Sequence, residues 1–212
     1  MPDRRPRADA VRNRETVLAA ADALFTDSES ARTVSMDDVA AAAGVGKGTL
    51  FRRFGDRDGL VRALFEARTD SLRQAVEHGP APLGPRTAPR RRVLALLDAL
   101  LTFKLANRHL SRALEETGSG SPYEATHYTW WHGTLRDTLL LLRGPASRED
   151  TGVPEAPEQP LDACAFTAHA LLAAVRADLV EHLLGAEGAS PEAVRAQLAA
   201  YAARVLDADG AP

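Results

Sequence analysis

The chain has 212 residues, is 45% hydrophobic and carries a formal net charge of −3, which is a globular composition long enough for one to two domains with a core. Cys164 is the only cysteine, so no intrachain disulfide can form and a reducing compartment is the simple expectation. No run approaching about 18 apolar residues stands out, and the opening Met-Pro-Asp-Arg-Arg-Pro-Arg lacks the apolar segment of a signal peptide, so neither a membrane span nor secretion is expected.

The charge is unevenly spread. Residues 1–62 hold 11 basic and 10 acidic side chains, and the remainder holds 15 and 19. An acidic protein of this kind can still attract a polyanion where its basic groups gather. Residues 1–9 form a Pro/Arg-rich arm, expected to be disordered when free. It reads equally as a tail that tracks phosphates or as a solvated terminus. A first helix is predicted from about Ala10 to Thr26, with Val17, Leu18, Ala21, Leu24 and Phe25 as its apolar stripe. Asp27–Thr33 is polar and turn-like.

Residues 35–54 carry the densest pattern. Ser35 has the chemistry of an N-cap, and Asp38 three residues on completes a relaxed capping box. Val39, Ala40 and Ala43 follow on one face. Gly44 suits the left-handed position that ends a helix. Val45 is expected to point inward from the turn. A second short helix then runs from about Lys47 to Phe54, with Leu50 and Phe54 on its inner face and Lys47, Thr49, Arg52 and Arg53 on the others. Gly44–Gly55 contains three basic residues and no acid. A helix-turn-helix with a basic second helix suits the major groove of DNA, although a plain helical hairpin with a charged face fits the same pattern. The Gly44–Thr49 segment lacks the glycine spacing and the preceding strand of a phosphate loop.

The longer string is more specific. Leu24-Phe25, Val34, Asp38-Val39-Ala40, Ala43-Gly44-Val45, Lys47-Gly48-Thr49-Leu50-Phe51 and Phe54 resemble, in order and spacing, the DNA-binding domain of TetR-type (tetracycline-repressor-like) regulators. The resemblance covers roughly Arg14 to Leu64. It implies an all-α protein, with a three-helix DNA-binding domain over 10–55, a connecting helix over 56–78 and a helical ligand-sensing and dimerisation domain over 79–212. It also implies a non-enzymatic transcriptional regulator of the bacterial cytoplasm, a repressor that acts as a homodimer on a palindromic operator and needs no cofactor. The residues it assigns to DNA are Ser35, Lys47, Gly48, Thr49, Phe51, Arg52, Arg53 and Arg57. Phe51 stands where the family usually has a tyrosine whose hydroxyl serves a phosphate, so that contact must be lost or supplied by Arg52 or Arg53. Arg53 stands where histidine is common.

Beyond Gly55 a helix is predicted through Leu60, Val61, Leu64 and Phe65 to about His78, with Gly59 weakening its first turn. Gly79–Pro89 reads as a linker. Helices are then predicted over about Arg90–Asn107, Arg108–Thr117 and Pro122–Arg143. Gly144–Pro160 reads as a loop. A single long helix over Leu161–Leu184 and a last helix from Pro191, capped by Ser190, to about Asp207 complete the chain. Tyr123, His127, Tyr128, Trp130, Trp131 and His132 cluster on one helix. With Phe103, Phe166 and His169, the residues Tyr123, His127, Trp130 and Trp131 are the candidate wall of a pocket for a small apolar or aromatic ligand. Core and subunit packing is the competing reading. His127 and His132 are five residues apart, which does not suit a helical metal pair, and no metal is expected. The last two helices are expected to pair with a second copy through Leu171, Leu172, Val175, Leu179, Val194, Leu198, Tyr201 and Val205. No catalytic motif occurs. An accessory DNA binder, or a regulator that senses a protein partner, stays open beside the ligand-released repressor.

Overall fold

The computed structural model describes residues 5–27, 34–116, 121–144 and 162–209, and among them every regular element is helical. In order these are α1 (Arg5–Asp27), α2 (Met36–Ala43), α3 (Lys47–Phe54), α4 (Arg57–His78), α5 (Pro89–Ala106), α6 (Arg108–Glu116), α7 (Thr126–Arg143), α8 (Ala163–Ala173), α9 (Ala177–Gly185) and α10 (Pro191–Asp209), with one 3₁₀ turn at Pro122–Glu124. Helix α1 starts at Arg5, ahead of the predicted Ala10, so part of the arm expected to be disordered is helical. The first four residues of that arm, most of the Asp27–Thr33 turn and nearly all of the Gly144–Pro160 loop lie outside the described residues.

The chain divides into two compact units, Met1–Asp70 with Asn107–Ser119, and Ser71–Ala106 with Gly120–Pro212. The division falls inside α4 and assigns α6 to the first unit. The family resemblance implied a single domain over 79–212.

The first unit is built on α1. Val17, Leu18, Ala21 and Phe25 are buried along it, as are Val39 and Ala40 of α2, Leu50 of α3 and Leu60, Val61, Leu64 and Phe65 of α4. Helix α2 opens with a complete capping box. The Asp38 backbone N–H donates to Ser35 Oγ at 3.2 Å, and the Ser35 N–H donates to Asp38 Oδ2 at 3.0 Å. The Ser35 hydroxyl, which also donates to Asp38 Oδ2, and then the Ser35 N–H hold the Asp38 carboxyl below its ordinary pKa. At the other end Gly44 adopts φ +65°, with its N–H donating to Ala41 O (3.2 Å) and that of Val45 to Ala40 O (3.0 Å). This pair of bonds is a Schellman closure, and Val45 is half-buried behind it. Arg68 of α4 joins the unit laterally. Its Nε donates to Asp22 Oδ1 at 2.7 Å, and its Nη1 donates to Asn107 Oδ1 at 2.9 Å.

The second unit has a core mainly of leucine and valine from α5, α7, α8, α9 and α10, including Leu97, Leu101, Leu135, Leu171 and Leu206, with Trp131 among them. Arg92 ties its periphery together. Its guanidinium donates to the carbonyls of Val76 (3.1 Å) and Leu83 (2.9 Å) and to Thr138 Oγ1 (3.2 Å). Burial lowers the Arg92 pKa from its ordinary value, and the three neutral acceptors satisfy the desolvated fork.

Two sequence expectations need correction. The predicted Leu161–Leu184 helix is interrupted between Ala173 and Ala177. There Val175 N–H bonds Leu172 O, Arg176 N–H bonds Ala173 O, and Arg176 turns to an extended conformation. Asp178 accounts for the restart. It sits in the first turn of α9, pairs with Arg176 at 2.9 Å and accepts from the Leu179 N–H at 2.8 Å. Second, Ala163–Gly185 is long and apolar enough by composition to cross a bilayer, contrary to the expectation that no such run exists. In the fold this stretch is two helices, and Cys164, Ala168, Leu171, Leu172, Val175 and Val180 lie within the core.

Gly59 has a reason that its sequence position did not show. A Cβ built on it would lie 1.9 Å from the carbonyl oxygen of Phe54, so only glycine lets the first turn of α4 meet the end of α3. Gly59→Ala is therefore expected to lower stability by about 1–3 kcal/mol through overpacking. An ordinary helical glycine would instead gain up to about 1 kcal/mol from that change. Urea denaturation followed by circular dichroism distinguishes the two.

Candidate nucleic-acid interface

Helix α3 has two different faces. Leu50 is 1% exposed and Phe54 half-buried, whereas Gly48, Phe51, Arg52 and Arg53 are exposed and Thr49 is half-exposed. Gly55 closes the helix with φ +79°, its N–H donating to Phe51 O at 2.8 Å. Among the described residues neither Arg52 nor Arg53 has an ionic partner. Two guanidinium groups, a hydroxyl, a bare backbone patch at Gly48 and a large exposed ring therefore share the outward side of one short helix. These are donors and an apolar edge suited to phosphates and bases.

Three members of the sequence-derived set are engaged inside the unit. Ser35 is the cap of α2 and also donates its hydroxyl to Asp38 Oδ2 at 2.6 Å. Arg57 donates from Nε to Val34 O at 3.1 Å and places its guanidinium 5.6 Å from the Phe25 ring centroid. It braces the chain ahead of α2, a role that the sequence did not reveal. Lys47 is exposed, and its ammonium is paired with Asp37 of α2.

In the second unit the expected pocket residues differ in burial and in partners. Trp131 is buried in the core at 4% exposure, while Tyr123 and Phe166 are exposed at 56% and 60%. Trp130 packs edge-on against Trp131 and donates from Nε1 to Glu77 Oε1 at 2.9 Å, with the Arg73 guanidinium 4.8 Å above its ring. His169 joins a different group. Its Nδ1 shares a 2.6 Å hydrogen bond with the Tyr128 hydroxyl, and its ring stacks on His132 at 3.9 Å between centroids. His132 Nε2 donates to Ala165 O at 3.1 Å, and Tyr123 lies edge-on to both Tyr128 and His169. Tyr128 and His132 are four residues apart on α7 and so share a face, but their partner His169 on α8 is set only by the packing of α7 against α8. Phe103 and His127 are half-buried.

An open apolar cleft of about 310 Å³ lies elsewhere in this unit, lined by Ala174, Leu183, Glu187, Ala189, Ala193, Val194, Gln197, Leu198 and Tyr201. None of the seven expected pocket residues lines it. Three residues expected at a subunit contact do. Of that eight-residue set, Leu171, Leu172, Val175, Val194 and Leu198 belong to the protomer's own core, Tyr201 and Val205 pack partly against it, and Leu179 is 39% exposed. Five of the eight are thus buried within the protomer itself. Among the described residues no group of three or more His, Cys, Asp or Glu is placed to hold a metal ion.

The architecture is thus that of an all-helical protein with an N-terminal helix-turn-helix and a helical C-terminal body. Comparison with known proteins narrows this. Residues 17–64 match the family described as bacterial regulatory proteins, tetR family. The HTH-type transcriptional regulator SAR0097 of Staphylococcus aureus (strain MRSA252) is 29% identical over 118 residues, which is 56% of this chain and 61% of that protein. The HTH-type transcriptional repressor LfrR of Mycolicibacterium smegmatis is 37% identical over 83 residues, 39% of this chain and 42% of the repressor. The matches thus span about three-fifths and two-fifths of those relatives. A solved structure from Rhodococcus sp., assigned to the TetR family of transcriptional regulators, aligns over 92% of this chain and 99% of its own with a TM-score of 0.61 at 24% identity; that likeness is one of fold. The helix-turn-helix domain, residues 17–64, is thus similar to that of the TetR family of bacterial regulators.

Burial, followed by the neighbouring His132, lowers the pKa of His169 below its ordinary 6.5. The unfolded chain then binds a proton that the folded chain resists. Stability is therefore full above the unfolded value and declines as pH falls from about 7 through 6. His169→Gln keeps an acceptor for Tyr128 and removes the titration. Urea midpoints at pH 7.5 and 5.5 should differ less in this variant than in the parent.

Proposed function

We propose that the protein is a sequence-specific DNA-binding transcriptional regulator, a repressor that binds a palindromic operator as a homodimer and is released by a small apolar or aromatic ligand. The observation that carries the DNA-binding reading is the outward face of α3, where Arg52 and Arg53 stand exposed while Leu50 is buried. A helix held this way can enter a major groove with its donors foremost. Arg52 and Arg53 take phosphates, since exposed guanidinium groups without a fixed partner add affinity of any sequence. Thr49, near the N-terminal end of α3, offers a hydroxyl and a methyl to base edges. Lys47 and Gly48 adjoin it, and Phe51 contributes apolar contact.

A two-fold protein matches a two-fold site. Leu179, Tyr201 and Val205 are the members of the expected interface that keep exposed surface for a second copy. The 310 Å³ cleft between the α8–α9 segment and α10 is the better seat for a ligand. It is apolar, with Glu187, Gln197 and Tyr201 as polar handles. Ligand binding that favours a conformer poor at holding DNA lowers operator affinity by linkage. An accessory DNA binder without a ligand remains the second reading, favoured by the engagement of Trp130, Trp131 and His169 in internal contacts.

Selection from a random duplex library tests the first reading. Enrichment of one palindrome bound by a dimer supports it, and weak unselective binding supports the second. Against the enriched duplex, Thr49→Ala is expected to relax sequence preference, with a loss of about 1–3 kcal/mol at the affected position. Arg53→Ala should weaken binding to all sequences and reduce the slope of log affinity against log salt by about 0.9. Equal effects of both changes on selected and random DNA would refute this division of labour.

A further inference from the structure

The carboxylates around the helix-turn-helix are not equivalent. Asp38 is committed to the Ser35 backbone N–H and hydroxyl. Asp56 accepts from the Gly59 N–H at 2.7 Å at the start of α4. Asp37 does neither. Its carboxylate reaches across the turn, from the first turn of α2 to the first turn of α3, and takes the ammonium of Lys47. The two side chains are 55% and 64% exposed. A lysine in the first turn of a helix faces the positive end of the dipole, so the carboxylate offsets an unfavourable placement. An exposed pair of this kind is weak, which means that a well-placed phosphate can displace Asp37.

Resting on the DNA-binding reading above, we propose that Asp37 sets specificity by competing with DNA for Lys47. On random duplexes, where phosphates pass α3 in no fixed register, Lys47 stays with Asp37 and contributes no contact. On the selected duplex the rest of the interface fixes one phosphate near Lys47, and the ammonium exchanges partners. Asp37 thereby lowers non-specific affinity more than specific affinity, which widens the ratio that decides occupancy in a genome.

The test compares the full-length protein with Asp37→Asn, Lys47→Gln and the double variant, on the library-selected duplex and on random DNA, across a salt series. Asp37→Asn should bind random DNA about two- to fivefold more tightly, with a salt slope steeper by about 0.9, and should change affinity for the selected duplex less. Lys47→Gln should leave random-DNA binding near the parent value and weaken the selected duplex. In the Lys47→Gln background, Asp37→Asn should have no effect. Glu66→Gln makes the same change in net charge on α4 and is the control. The proposal is overturned if Asp37→Asn leaves random-DNA affinity and slope unchanged, if its effect survives without Lys47, or if Glu66→Gln matches it. Should Asp37→Asn fold poorly, Lys47→Gln alone decides, because an equal loss on both duplexes contradicts the exchange. A parent protein that selects no duplex would refute the sequence-specific regulator reading itself, an outcome separate from a selective parent with an inert Asp37.

Discussion

An eight-residue helix has too few hydrogen bonds to persist alone in water, and α3 is that short. What keeps it formed is the burial of Leu50 at 1% exposure, a contribution of about 1.5–3 kcal/mol from the side chain. The same contact fixes its rotation. With Leu50 inward, Gly48 and Arg52, two positions before and after it, have to face outward. The chemistry offered to DNA is therefore a consequence of one apolar anchor, and the capping box and Schellman closure of α2 set the angle at which that anchor arrives.

Electrostatics in the first unit is organised by the same economy. Short polar links are spent on fixing backbone: Asp38 on the start of α2, Asp56 on the start of α4, and Arg57 on the Val34 carbonyl. Cations left over on α3 are then available for an external polyanion. In the second unit the corresponding device is Arg92, whose fork holds the last turn of α4, the 79–88 turn segment and α7 by their carbonyls and a hydroxyl. The Val76 carbonyl lies in the last turn of α4, where intrahelical donors run out, and the guanidinium supplies one.

The aromatic residues of α7 illustrate how a cluster in sequence separates in space. Trp131 enters the core, Trp130 is held at its edge by Glu77 and Arg73, and Tyr128 and His132 turn to His169. Successive residues on a helix are 100° apart, so six neighbours cannot line one wall. The apolar cleft instead lies beside α10, among residues whose sequence signature is ordinary alanine, leucine and glutamine.

Local rules determined most of the elements by themselves. The N-cap at Ser35, the left-handed turn at Gly44, the extent of α3 and the end of α4 at His78 follow from short-range hydrogen bonding and backbone sterics, which act within a few residues. The all-α class and the family of the first unit were legible for the same reason, because a helix-turn-helix is a local motif. The break before α9 and the need for glycine at residue 59 were not, although their immediate partners are close in sequence. Asp178 and the Phe54 carbonyl acquire those roles only in a particular backbone geometry. Tertiary structure alone decided which apolar side faced which neighbour. Periodicity marks a buried side of α8–α10 without saying whether the protomer or a second copy buries it, since the hydrophobic effect has no direction. It likewise decided that Lys47 meets Asp37 and Arg57 meets Phe25, because charge on a sequence has a position but no partner until helices pack.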